Sequence, residues 1–143
     1  MNVLRGLVGV LAALAIAVGF TQFLELMLAN AIAGRALQSL DDYALVLNSW
    51  PLLAMRLVIS SFMALLAGYV CAKLAEHDEM RYTLTAVMFR LIAVIGGNGA
   101  GYMPRTPPWA LALLLSVSSA AMIAGGAVRA AAAAATTRKE RQA

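Results

Sequence analysis

Four long stretches of this chain are almost free of charge, and short polar segments separate them. Apolar residues fill 3–29, 50–72, 82–97 and 107–128, and the third stretch can extend to Tyr102. At 1.5 Å per residue, such stretches suit a hydrocarbon core about 30 Å thick. Leu, Ala, Val and Ile dominate them, as in helices, and the runs are too long for barrel strands. The pattern therefore predicts an all-α fold, an integral membrane bundle of four transmembrane helices. Thr106 is placed to cap the fourth helix, with Pro107 at its first position and Trp109 as an interfacial anchor. Trp50-Pro51 opens the second helix in much the same way. The third helix is the least regular, because Arg90 interrupts it and Gly96, Gly97, Gly99 and Gly101 crowd its end.

Two segments outside the spans carry their own pattern. Between 34 and 49, Leu37, Leu40, Ala44 and Leu47 recur at helical spacing with polar residues between them. Ser39 followed by Asp42 resembles a capping box, so a short amphipathic helix is expected in this first outer loop. From Ala130 a polyalanine run leads into Thr-Thr-Arg-Lys-Glu-Arg-Gln-Ala, which continues the fourth helix as a basic tail. The organisation is then a four-helix transmembrane domain, 1–129, and a basic cytoplasmic tail, 130–143.

Composition agrees with a non-aqueous solvent. The chain is 62% hydrophobic and 13% charged, whereas soluble domains run near half and a quarter. Its net charge of +4 is spread along the chain and does not imply nucleic acid. An even number of spans puts the N-terminus, the 73–81 turn and the tail on one side. That side holds Arg5, Lys73, Arg81, Arg129, Arg138, Lys139 and Arg141, against Arg35 and Arg105 on the other. Seven against two places both termini in the cytoplasm of a cell (inner) membrane protein. The N-terminal run 6–24 exceeds a signal-peptide core, so the first helix is expected to be retained despite the small residues Ala29-Asn30-Ala31.

Candidate chemistry is sparse. Cys71 is the only cysteine, which excludes internal disulfides, CxxC redox pairs and thiolate metal sites, and it reads as a packing residue. His77 is the only histidine, in the turn Glu76-His77-Asp78-Glu79, which reads as solvated. Asp41-Asp42 makes a poor metal cage. The run 96–101 lacks the lysine and strand–turn–helix setting of a nucleotide loop. No catalytic, metal or cofactor set is expected.

Small residues do recur at i, i+4 spacing: Gly9, Ala13, Ala17 and Thr21; Ser60, Ala64, Gly68 and Ala72; Ala112, Ser116, Ala120 and Ala124. In lipid such rows let helix backbones approach closely, and tight packing is their expected role. Continued one step, the first row reaches Glu25; continued back one step, the second reaches Arg56. Side chains lean toward their own N-termini, which brings these two charges toward one depth. A Glu25–Arg56 pair is expected, as a structural clamp first and a binding site second. Gln22, Asn98 and Tyr102 fall in the same outer half and would line a small polar pocket with the pair. Arg90 lies nearer the membrane centre and is expected to snorkel toward the cytoplasm, where it can also contact an anionic lipid.

The Glu25 end of the first helix, Gly68-Tyr69-Val70-Cys71-Ala72 and Thr106-Pro107-Pro108-Trp109 resemble a loose group of uncharacterised small bacterial four-helix integral membrane proteins. The resemblance spans most of the chain and implies no activity. The small multidrug resistance transporters are a poorer comparison, since their first-helix glutamate lies near mid-membrane. From the residues, the leading reading is a non-enzymatic accessory or assembly subunit that packs against a membrane-protein partner or a second copy, in contact with membrane lipids. A small oligomeric transporter or channel-like protein using the outer polar pocket comes next. A lipid-binding protein or intramembrane enzyme using Arg90 or Arg56 comes last.

Overall fold

The structure is a computed structural model that describes residues 2–140. Arg141 of the basic tail lies outside the described residues, as do the side chains of Arg138 and Lys139. The first span starts as α1 (Asn2–Leu14), passes through a π-helical segment (Ala15–Phe20) and continues as α2 (Thr21–Ala33). Then follow α3 (Leu40–Leu47), α4 (Trp50–Ala75), α5 (Glu79–Gly99) and α6 (Pro108–Glu140). Four helical stretches are long and apolar enough to cross a membrane: Val3–Ala33, Trp50–Ala75, Glu79–Gly99 and Pro108–Thr136. The chain is a multi-pass membrane protein, all-helical among the described residues, with α3 as the short amphipathic helix of the first loop.

The spans are inverted relative to a soluble bundle. Ala13, Ala64, Ala67 and Ala86 are buried, while Phe62, Met88, Phe89 and Ile92 point outward. Lipid tails solvate bulky side chains as well as a core does, so close backbone approach is what small residues contribute. Helix α4 lies at the centre, against α1, α5 and most extensively α6. A Cβ on Gly68 would run into the Met122 carbonyl of α6, and one on Gly125 into the Leu65 carbonyl of α4. On the other flank a Cβ on Gly9 would stand 2.9 Å from the Cys71 carbonyl oxygen. Cys71 is free and buried there, in a cluster with Val10, Ala67, Val87 and Met122.

Two of the three small-residue rows face inward. Gly9, Ala13, Ala17, Thr21 and Glu25 are all buried, as are Arg56, Ser60, Ala64, Gly68 and Ala72. A strict i+4 row drifts about 40° per step around an ideal α-helix. In the first span the π-helical segment winds more widely and offsets that drift, with the Thr21 N–H reaching back to the Ile16 carbonyl. The third row is a correction. Ala112, Ser116, Ala120 and Ala124 are exposed, and α6 turns Leu114, Leu115, Ser118, Met122, Gly125 and Gly126 inward instead. Another correction concerns the start of α6. Pro108 is its first residue, and the Pro107 carbonyl accepts from Leu111 N at 2.9 Å. Pro107 therefore takes the cap position, and Thr106 is released to the loop.

At the end of the bundle that carries both termini, Arg5 pairs with Glu76, and Arg129 lies 3.9 Å from Glu79. Glu76 and Asp78 both take positive φ, Asp78 in the left-handed helical conformation, in the turn between α4 and α5. At the opposite end, hereafter the loop end, α3 packs back on α2. The Ser39 hydroxyl accepts from Asp42 N at 3.1 Å, as the capping pattern predicts. Leu37 and Leu47 are buried against Ala29, and Asn30 bonds both Tyr43 and the Leu37 N–H.

Candidate functional site

The first two spans each bring one charge to the loop end. Glu25 is 3% exposed and Arg56 6% exposed, with Arg56 Nε 3.1 Å from Glu25 Oε2. Helix α4 begins with Pro51 in its first turn, which sets Arg56 on its second turn facing the first span. The ion pair expected from the two rows is therefore present. Its alignment is not that of a hydrogen bond, so Nε and Oε2 both keep unused bonding capacity. The other arm of the guanidinium reaches the loops. Nη1 and Nη2 each donate to Thr106 Oγ1 at 3.4 Å, and Nη1 stands 3.5 Å from Asn48 Oδ1. Asn48 Nδ2 in turn donates to the Arg105 carbonyl at 2.8 Å, and Thr106 N donates to Asn98 Oδ1 at 3.4 Å. One arginine thus ties both loops of this end to the spans below them.

Below the pair lies a third charge. Arg90 sits in mid-helix on α5, is 4% exposed, and turns inward rather than toward the headgroups. Snorkelling is the expectation it overturns. Thr83, Ala86 and Val87 are buried on the same face of α5, while Leu84, Met88 and Phe89 face lipid. Arg90 continues that buried face by one turn. Its Nη2 donates to Ser118 Oγ of α6 at 2.7 Å, and the Ser118 hydroxyl in turn donates a hydrogen bond to the Leu114 carbonyl. Nε and Nη1 of Arg90 are buried and have no partner among the described residues.

These groups line one cavity of about 40 Å³, walled by residues of all four spans. Gln22, Glu25, Arg56, Arg90 and Asn98 contribute polar walls, with Thr21 and Ser60 beside them. Pro104 and Thr106 border it on the loop side, and Ala17, Leu114 and Leu115 complete the apolar wall. Tyr102 does not take part. It is 83% exposed, because α5 ends at Gly99 and a turn through Gly101, at φ 76, carries it away. Four of the five residues expected in a polar pocket meet there, and Arg90 joins them.

Toward the other end, the small-residue cluster of Val10, Ala13, Ala64, Ala67 and Ala86 packs beneath the cavity. The site is thus a polar chamber on one side and a close-packed seal on the other. Water-sized bodies fit inside, and about three of them fill it. Among the described residues its wall carries one carboxylate, Glu25, and the Thr21 and Ser60 hydroxyls donate to the Ile16 and Leu57 carbonyls. Among the described residues no three of His, Cys, Asp or Glu converge as they would to hold a metal ion. No family model, curated protein or solved structure matches this chain.

Proposed function

We propose that this is a non-enzymatic membrane protein that holds a small polar ligand in the cavity at its loop end, in the manner of a small transporter or channel-like protein. The observation that carries this reading is the enclosure of Glu25, Arg56 and Arg90 in one chamber large enough for small solutes. Ionisable groups inside a membrane span are costly to bury, and a pair alone meets the needs of a clamp. A third charge with unused donors exceeds those needs. The positive-inside asymmetry supports a cytoplasmic position for both termini, which faces the cavity outward.

A second reading is an accessory or assembly subunit in which the charges only lock the helices. The close-packed seal favours it, since Val10, Ala13, Ala64, Ala67 and Ala86 pack together beneath the cavity. Thermal unfolding of the purified chain in mild detergent, across a panel of inorganic anions, alkali cations and small neutral solutes, separates the two. The ligand-binding reading expects at least one class to raise the melting temperature saturably, and the double variant Glu25→Gln/Arg56→Gln to lose that response. No response from any class, together with a stoichiometric larger membrane protein on purification, decides for the subunit.

A further inference from the structure

The cavity's charges do not cancel. Arg56 and Arg90 supply two positive charges, and Glu25 supplies one negative. Glu25 is within ion-pair distance of Arg56 only, among the described residues. Among the described residues Arg90 has a single hydrogen-bond partner, a neutral hydroxyl, and two of its donor atoms are buried without one. A guanidinium stays protonated under all ordinary conditions, so loss of a proton is no remedy. One uncompensated positive charge in a poorly hydrated layer calls for one negative charge beside it.

We propose that the cavity binds a small monovalent inorganic anion, of the halide or nitrate class, between Arg90 and Arg56. This inference rests on the ligand-binding reading above and names its chemistry. Charge balance selects a single negative charge. Size favours a compact inorganic ion, because a chamber of about 40 Å³ leaves little space for an organic acid or a lipid headgroup. Donor chemistry agrees, since Arg90 Nε and Nη1 offer two charged donors and Gln22 and Asn98 add amide groups to the same wall. Glu25 then holds Arg56 in place and prevents the site from drawing in a second anion.

The test uses the full chain in mild detergent, in gluconate, titrated with sodium bromide, chloride or nitrate at constant ionic strength. The expected result is a saturable rise in melting temperature, on the order of 5 °C at about 100 times the dissociation constant. Arg90→Gln should abolish the rise, and Arg90→Lys should weaken it. If Arg90→Gln does not fold, anomalous diffraction from crystals of the unaltered protein in bromide gives the answer. A bromide peak beside Arg90 supports the site, and a cavity holding only water overturns it. A missing or non-saturating rise, or one that survives in Arg90→Gln, overturns it equally. Should cations or neutral solutes stabilise the protein instead, through Glu25, the anion assignment falls and the ligand-binding cavity stands. If no solute acts, both fall.

Discussion

Glu25 and Arg56 are more than neighbours in sequence pattern; each is buried and each is the other's nearest opposite charge. Removing one partner strands the other in a layer that hydrates it poorly, which destabilises by about 3 kcal/mol. Glu25→Gln and Arg56→Gln should therefore each lower the unfolding temperature in detergent, and the double variant should lose less than the sum of the two. Strictly additive losses would mean that the side chains do not act on one another. This pair was legible in the sequence because a row of small residues runs straight into each charge. Arg90 was not, since a lone arginine among apolar residues reads equally well as a snorkelling side chain. The available signal was the contrast across α5, where Thr83, Ala86, Val87 and Arg90 share one face and Leu84, Met88 and Phe89 the other. Tyr102 failed for the opposite reason. Extending a helix through four glycines ignored how readily Gly101 takes a left-handed turn.

Among the elements, the contact between α4 and α6 sets the packing distance of the bundle. Gly68 lies against the Met122 backbone and Gly125 against the Leu65 backbone, with no space for a methyl group on either. Gly68→Ala and Gly125→Ala should each destabilise by about 1–3 kcal/mol, as overpacked interiors do. Gly96→Ala, on α5 where nothing stands within 4 Å of an added Cβ, should be neutral or slightly stabilising. Thermal unfolding of the three variants side by side checks this, and equal losses at all three positions would refute the close contact. The α6 row at Ala112, Ser116, Ala120 and Ala124 misled because alanine is abundant throughout that helix, so an i+4 row arises there without meaning. Where alanine is everywhere, the bulky residues carry the information about facing. On the first span the same spacing was meaningful: the row stays buried over four steps, and the π-helical segment offsets part of its drift.

As a whole molecule, the bundle holds a charged chamber at its loop end, open on that side in the ligand-binding reading, above a close-packed seal of small residues. Four spans, the surface helix α3 and the meeting of Glu25 with Arg56 followed from hydrophobic pattern and residue size alone. The chamber's floor depended on rotation of α5 about its axis, which periodicity left undetermined. Access by silver ions, added as the nitrate salt so that an anion balances the chamber's extra positive charge, tests the whole arrangement in one measurement, since they are small enough for the chamber and react with thiols. Single cysteines replace Gln22 and Ser60 in the chamber wall and Ala64 one turn deeper, in oriented vesicles, with native Cys71 as an internal reference. Silver added on the side of the 34–49 loop should modify Gln22→Cys and Ser60→Cys rapidly and leave Ala64→Cys and Cys71 protected. Equal modification of Ala64→Cys and Cys71, or protection of Gln22→Cys and Ser60→Cys, would contradict the account.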